Sequence, residues 1–180
     1  MGKHRLIAHP DFPPIAIDAI EVELDLSRKG VSTLWYTVFG SLDALVVPRE
    51  ASERRVDELW KTTCFEMFVR NPSSSGYLEL NFSPSREWAA YHFDGYRRGM
   101  RPAELGHPPV ISSSRIGWFE LHVTLPFDLH CDTRLLLQLS AVLEENEGTK
   151  SYWALAHPPG DPDFHQPDCF ALELPPAGRI

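Results

Sequence analysis

The stretch TCFEMFVRNPSSSGYLELNFS, residues 63–83, decides the fold class, because it holds two strand patterns joined by a turn. Its first half alternates between two sets of positions, Phe65, Met67 and Val69 against Cys64, Glu66 and Phe68. Its second half does the same, with Leu78, Leu80 and Phe82 against Tyr77, Glu79, Asn81 and Ser83. Successive side chains of a strand point to opposite faces, and RNPSSSG has the composition of a turn. The stretch therefore predicts two β-strands with one apolar face each.

The same alternation recurs along most of the chain. The further strand patterns are AIEVELDL (19–26) with its hairpin partner VSTLWYTVFG (31–40), EWAAYHF (87–93), GWFELHVTL (117–125), TRLLLQLSAVLE (133–144) and CFALEL (169–174). Only ASERRVDELW, residues 51–60, has a helical pattern, and it is short and mostly polar. About eight to ten short strands separated by Gly, Pro and Ser turns predict an all-β protein, an antiparallel β-sandwich of the jelly-roll kind.

Length and charge limit the classes of partner. The chain has 180 residues, which suits one domain, residues 1–180, with a full core. It carries 25 acidic and 17 basic residues, a formal net charge of −8. Nucleic-acid binding depends on Lys and Arg that neutralise phosphates, so we expect no nucleic-acid partner. No apolar run approaches the ~20 residues that cross a bilayer, so we expect no membrane partner.

Cysteine usage and the opening residues bear on location. The three cysteines, Cys64, Cys131 and Cys169, are odd in number and have no paired spacing. The opening MGKHRLIAHPDFPP, residues 1–14, contains no apolar run of the length found in signal peptides. These features predict a cytoplasmic protein with free thiols.

Polar side chains recur at the middle of several predicted strands, on the face away from the apolar one. These residues are Glu66, Glu79, Asn81, His92, Glu120, His122, Gln138 and Ser140. Trp60 and Phe68 share this face by their spacing. A solvated sheet face is one interpretation. A ligand-binding face is the other, because most of these side chains are hydrogen-bonding types and aromatic residues lie among them.

Residues 157–167, HPPGDPDFHQP, combine prolines, aspartates and histidines. One hypothesis is a metal site formed by His157, Asp163 and His165, the kind of ligand set that jelly-roll metalloenzymes use. The other is a rigid loop, because proline fixes φ and lowers the entropy lost on ordering. We favour the loop, acting as a wall beside the binding face from which His165 reaches the ligand. Neither nucleotide-binding loops nor nucleophile elbows occur in the sequence.

Three stretches together resemble a known superfamily. They are LWKTTCFEMFV (59–69), YLELNFSPSREWAAYHFDGYR (77–97) and YWALAHPPGDPDFHQPDCFALEL (152–174). Their order is similar to that of the DOMON-like superfamily, and more narrowly to the branch related to family 9 carbohydrate-binding modules. The resemblance spans roughly residues 20–174.

The resemblance implies a ligand-binding β-sandwich without catalysis of its own. In the sugar-binding branch two tryptophans enclose the ligand, and a Glu six residues after the first donates or accepts a hydrogen bond. Trp60 and Glu66 keep that spacing, Asn81 matches a polar position on the next strand, and Trp153 is implied as the second tryptophan. Gln138 is a further candidate on its own strand.

The sequence thus predicts a non-catalytic domain that binds a saccharide or a similar polar small molecule. Its candidate ligand-binding residues are Trp60, Glu66, Glu79, Asn81, Gln138, Trp153 and His165. A haem-binding redox domain is the first alternative, because other DOMON branches ligate haem through Met with His or Lys. Met67 and Met100 are present, although Met67 has the apolar parity of its strand. A metal-dependent enzyme and a protein-interaction module are the remaining alternatives; we otherwise expect no cofactor.

Overall fold

The computed structural model describes residues 2–178, and its regular elements are twelve β-strands and four short 3-10 turns. The strands are β1 (Gly2–Ala8), β2 (Ile17–Asp25), β3 (Ser32–Gly40), β4 (Cys64–Arg70), β5 (Tyr77–Phe82), β6 (Trp88–Phe93), β7 (Arg101–Pro102), β8 (Val110–Arg115), β9 (Phe119–Leu125), β10 (Leu135–Glu144), β11 (Lys150–Ala154) and β12 (Leu172–Leu174). No helix within the described part of the chain is long and apolar enough to cross a membrane.

All strand pairs are antiparallel and form one continuous curled sheet, whose two halves we call the first sheet and the second sheet. The first sheet has the order β8-β9-β3-β2-β1, and the second has the order β11-β10-β4-β5-β6-β7. β12 pairs with the start of β10, on the edge that β11 uses further along. The two sheets pack face to face, so the predicted all-β sandwich is confirmed.

The strands predicted from residues 63–83 pair as neighbours in the second sheet. Glu66 lies opposite Asn81, and Phe68 lies opposite Glu79. Because facing residues share a sheet face, the polar set and the apolar set of the two strands each stay together. Phe65, Met67, Leu80 and Phe82 point inward, where they are buried against the first sheet.

The main core fills the space between the sheets. Phe65 stacks on Phe119 of β9, with ring centroids 5.9 Å apart, and also contacts Tyr36 of β3. The Tyr36 hydroxyl donates a hydrogen bond of 2.8 Å to the backbone carbonyl of Glu66. This bond links the first sheet to β4, the strand that carries the Glu66 side chain on its opposite face.

A second, smaller core covers the outer face of the second sheet. Residues 155–171, which we call the cover segment, pass over that face between β11 and β12. Phe170 of the cover segment packs there against Phe68 and Tyr77, and Phe164 packs against Tyr152. The second sheet is therefore buried on both faces, which explains why its polar side chains are not solvated.

β1 belongs to both sheets. Its first part pairs with β2, from Gly2 opposite Leu24 to Leu6 opposite Ile20. Its last two residues pair with β11, with Ile7 opposite Ala154. One strand thus closes the sandwich along one side.

The strands that alternation did not predict are the edge or bridging ones. β1 has one fully buried side chain, Leu6, and β8 buries only Ile111, so neither has a regular apolar face. The helical pattern of residues 51–60 yields only a 3-10 turn at Leu59–Lys61.

Candidate functional site

A cavity of about 320 Å³ lies between the outer face of the second sheet and the cover segment. Its lining residues are Trp60, Glu66, Glu79, Phe93, Arg97, Met100, Val142, Tyr152, Pro162, Phe164 and His165. This volume is at the lower end of the ~300–1,000 Å³ range of small-molecule sites. A cavity of that size favours a ligand with one or two rings.

Two glutamates form the polar floor of the cavity. Glu66 on β4 and Glu79 on β5 are 3% and 4% exposed. The Ser140 hydroxyl donates to Oε2 of Glu66 at 3.2 Å, and Asn81 Nδ2 donates to Oε1 of Glu79 at 2.7 Å. Each carboxyl group keeps acceptor sites free for a ligand, because a carboxylate accepts about four hydrogen bonds.

Burial makes these two carboxyl groups hard to ionise. Desolvation, followed by repulsion from Glu79, raises the pKa of Glu66 to about 8. Desolvation also raises the pKa of Glu79 to about 7, against the opposing effects of Asn81 and Arg97. The cavity floor therefore holds protons near neutral pH that an exposed carboxylate would have lost.

His165 belongs to the cover segment and lies next to Glu79. Its Nδ1 lies 2.7 Å from the Tyr77 hydroxyl, and its Nε2 lies 3.8 Å from Oε2 of Glu79. The Tyr77 hydroxyl accepts the backbone N–H of Arg97 at 3.3 Å, so its own proton is available to Nδ1. Burial lowers the pKa of His165 to about 4, which leaves the imidazole neutral with an Nε2–H directed at the cavity.

An ion pair fixes the cover segment to the β6–β7 turn. Arg97 donates from Nη2 to Oδ1 of Asp163 at 2.7 Å, and from Nε to the same oxygen at 3.2 Å. The Tyr96 hydroxyl donates to the other oxygen of Asp163. Arg97 has a φ of 51°, in the left-handed region that residues with a Cβ adopt rarely. The turn is thus held in a strained shape that directs Arg97 to the cavity rim.

Aromatic side chains form the walls. Trp60 enters from the 3-10 turn that precedes β4, and the residue before this turn, Glu58, has a left-handed φ of 63°. Tyr152 comes from β11 and Phe164 from the cover segment, with ring centroids 6.3 Å apart. Flat aromatic faces beside hydrogen-bonding carboxyl groups suit a ligand with an apolar face and polar edges.

The structure brings four of the seven candidate residues into the cavity. Trp60, Glu66, Glu79 and His165 line it. Asn81 lies beneath it, fully buried, and positions Glu79. Gln138 is fully buried and does not line the cavity, and its amide finds no hydrogen-bond partner among residues 2–178.

The structure contradicts the prediction that Trp153 is a second ligand-binding tryptophan. It points into the core between the sheets, 4% exposed, with its Nε1 donating to the Ser151 hydroxyl at 2.9 Å. The opposite parity of β11 faces the cavity, and Tyr152 occupies it. Trp153 therefore cannot enclose a ligand with Trp60.

The polar residues that were predicted to share one sheet face do not all lie on the same face. Glu120 and His122 lie on the first sheet, where His122 stacks on Trp35 with ring centroids 4.9 Å apart. His92 is paired with Leu78, on the opposite parity of the second sheet from Glu79. Alternation identified the polar positions, but it could not say which of two sheets each strand joins.

The residues of the metal hypothesis have separate roles. His157 Nε2 lies 2.8 Å from the carbonyl of Ile7, Asp163 pairs with Arg97, and His165 bonds Tyr77. Within residues 2–178 no three His, Cys, Asp or Glu side chains are grouped so that they could hold a metal ion. For the haem hypothesis, Met67 is enclosed in the main core, whereas Met100 lines the cavity.

Several residues that line the cavity were not among the predicted site residues. Arg97, Tyr152, Pro162 and Phe164 were not predicted as site residues, although the last two lie in the loop interpreted as a wall. The proline-rich composition of residues 157–167 pointed to Pro162 and Phe164, whereas no sequence signal pointed to Arg97 or Tyr152.

The buried carboxyl pair predicts a pH-dependent stability. Their pKa values in the folded protein exceed the ordinary 4.5 of an exposed Glu, so the folded state binds more protons than the unfolded state between about pH 5 and 8. These bound protons stabilise the folded state at pH 5, and this stabilisation is lost as the pH rises through the two pKa values. We expect the Tm to fall by at least roughly 5 °C from pH 5 to pH 8.5.

Thermal unfolding of the wild type and of a Glu66→Gln/Glu79→Gln variant checks this. The variant lacks both titrating groups, so its Tm should change much less over the same pH range. An equal slope in the two proteins would contradict the assignment.

Comparison with known proteins gives structural neighbours only. No family model matches the chain, and no curated protein matches it in sequence. A candidate carbohydrate-binding protein from Bacteroides uniformis superposes with a TM-score of 0.69, at 16% identity, over 93% of this chain and 83% of its own. A family 9 carbohydrate-binding module from Caldicellulosiruptor kristjanssonii, in complex with glucose, superposes with a TM-score of 0.57, at 8% identity, over 90% of this chain and 78% of its own. The predicted relation to family 9 modules is thus confirmed at the level of the fold.

Proposed function

We propose that the chain is a non-catalytic binding domain for a small saccharide, which it holds in the cavity between the second sheet and the cover segment. The observation that carries the proposal is the composition of that cavity. Trp60 and Tyr152 supply aromatic faces, and Glu66, Glu79 and His165 supply buried hydrogen-bonding groups. A sugar ring has that complementary chemistry, with C–H groups on its faces and hydroxyl groups at its edge.

Fold similarity supports the same class of ligand. Both structural neighbours are named for carbohydrate binding, and one of them contains glucose. A binding role without catalysis is the simplest function compatible with these neighbours. The ordered Arg97–Asp163 pair and the prolines of the cover segment preorganise the wall, which lowers the entropy lost on binding.

The experiment is isothermal titration of the purified protein with D-glucose and cellobiose at 25 °C. We expect one site with a Kd on the order of 10 µM to 1 mM, because aromatic contacts and a few hydrogen bonds largely replace contacts with water. Absence of heat at millimolar concentrations for both sugars and for a wider saccharide panel would contradict the proposal. An absorption spectrum after haem addition, recorded on the same sample, tests the haem alternative; a Soret shift that saturates at one haem per chain would favour it.

The cytoplasmic location is part of the same proposal. Cys64, Cys131 and Cys169 are all free thiols, and Cys64 and Cys169 are buried. Free buried thiols are typical of proteins that fold in a reducing compartment.

A further inference from the structure

The charged and titratable groups around the cavity favour a ligand with a positive charge over a neutral sugar. Glu66 and Glu79 occupy diagonal positions on neighbouring strands, and both line the same small space. Ionisation of two buried carboxyl groups in one cavity is costly unless a positive charge accompanies them.

Arg97 is the one basic side chain among the described lining residues with a permanent charge. Its guanidinium group already donates twice to Asp163, so that one acidic and one basic group offset each other. His165 is neutral because burial lowers its pKa. Full ionisation of the two glutamates would therefore leave the cavity with an excess of two negative charges.

The other titratable groups around the two glutamates supply no positive charge either. Those that face them from the packed elements are the thiol of Cys64 and the hydroxyls of Tyr36, Tyr77 and Tyr91. Burial raises the pKa of each of these groups, so all four are neutral at physiological pH. Asp57 beyond Tyr91 adds a further acidic group.

The walls add a second attraction for a cation. Trp60, Phe93, Tyr152 and Phe164 surround the space above the glutamates. The faces of aromatic rings carry negative electrostatic potential and attract ammonium groups within about 6 Å. A protonated amine at the cavity floor would thus contact two carboxyl groups below and aromatic faces at the side.

We propose that the cavity selects saccharides that carry a protonated amino group, which Glu66 and Glu79 bind as counter-ions. This inference rests on the proposed saccharide-binding function and names its ligand class, an unacetylated amino sugar. On binding, the ammonium group keeps its protons, a glutamic acid loses one to the buffer, and an ammonium–carboxylate pair forms. Binding therefore releases protons, which binding of a neutral sugar does not require.

Titration of the wild type with D-glucosamine, D-glucose and N-acetyl-D-glucosamine at pH 6 tests this directly. We expect glucosamine to bind at least ~10-fold more tightly than glucose, because hydrogen bonds between charged groups are about twice as strong as neutral ones. N-acetylglucosamine lacks the charge and should bind no more tightly than glucose. Measurement in two buffers of different ionisation enthalpy should show proton release with glucosamine alone.

Variants assign the effect to the two carboxyl groups. Glu66→Gln and Glu79→Gln each keep the side-chain shape and an acceptor oxygen, and either should reduce the ratio of glucosamine affinity to glucose affinity at least ~5-fold. Glu120→Gln, on the first sheet, is the matched control and should keep the wild-type preference.

The outcomes separate the two proposals. Binding of glucose without any gain for glucosamine in the wild type overturns this inference and leaves the saccharide-binding function in place. Failure to bind any of the three sugars or any member of the wider saccharide panel overturns the saccharide-binding function itself. A preference for glucosamine that survives in both glutamine variants also overturns the inference, because the amine would then be bound elsewhere.

Discussion

Replacement of Trp60 by alanine is expected to weaken saccharide binding at least ~10-fold. Binding of a ligand whose wild-type Kd is already about 1 mM would then no longer be detected. Trp60 is half-buried at the cavity wall, on a 3-10 turn rather than inside a strand. Its ring has an edge contact with Tyr91, at a centroid distance of 6.3 Å, and lies outside the main core. The fold should therefore survive its loss, with a Tm within a few degrees of the wild type.

Titration of the Trp60→Ala variant with the best saccharide ligand measures the effect, and a thermal melt verifies folding. Trp118→Ala is the matched control, because Trp118 is exposed at the β8–β9 turn of the first sheet. Wild-type affinity in a folded Trp60→Ala variant would remove this cavity as the binding site.

Replacement of Trp153 by alanine should have the opposite profile, a large loss of stability with little effect on the site. Trp153 is enclosed between the sheets, and removing a buried Trp side chain typically costs about 3–5 kcal/mol. For a chain of this length such a loss lowers Tm by roughly 10 °C. The backbone of β11 would still present Tyr152 to the cavity.

Chemical denaturation gives the change in the free energy of unfolding for Trp153→Ala. Should this variant fail to fold, Trp153→Phe retains most of the apolar volume, and a smaller loss in the same direction is expected. A stable Trp153→Ala variant that has lost saccharide binding would show instead that Trp153 acts in recognition.

Most strands could be predicted from the alternation in the sequence, whereas β1, β7, β8 and β11 could not. Alternation in β4 and β5 identified both the strands and the parity of Glu66 and Glu79. β8 is an edge strand with mostly exposed side chains, so no burial pattern marks it. β1 changes sheet along its length, and no periodicity encodes that change.

Trp153 illustrates a second limit, which arises because both faces of the second sheet are buried. When the two faces of a strand are both apolar, alternation no longer distinguishes the core side from the ligand side. β11 places Trp153 on one covered face and Tyr152 on the other. The resemblance to sugar-binding modules favoured the tryptophan, whereas the strand parity assigns the cavity to the tyrosine.

The cavity itself depends on the cover segment, which has no regular secondary structure apart from one 3-10 turn. Its proline content predicted a stiff wall, but the position of Phe164 depends on contacts with residues far away in sequence. Strand parity therefore predicted Glu66 and Glu79 on the sheet side of the site, whereas His165 was the one cavity-lining residue of the cover segment that was predicted.

Because β1 pairs with β2 of the first sheet and with β11 of the second, its detachment would favour self-association. β1 separates β2 from β11, and it pairs with a strand almost at the other end of the chain. If β1 detaches, two strands lose a partner at once, and their free N–H and C=O groups become templates for another chain. The equivalent strand of a second molecule satisfies both edges equally well, so transient opening at this seam would lead to reciprocal strand exchange between two copies rather than to unfolding of either.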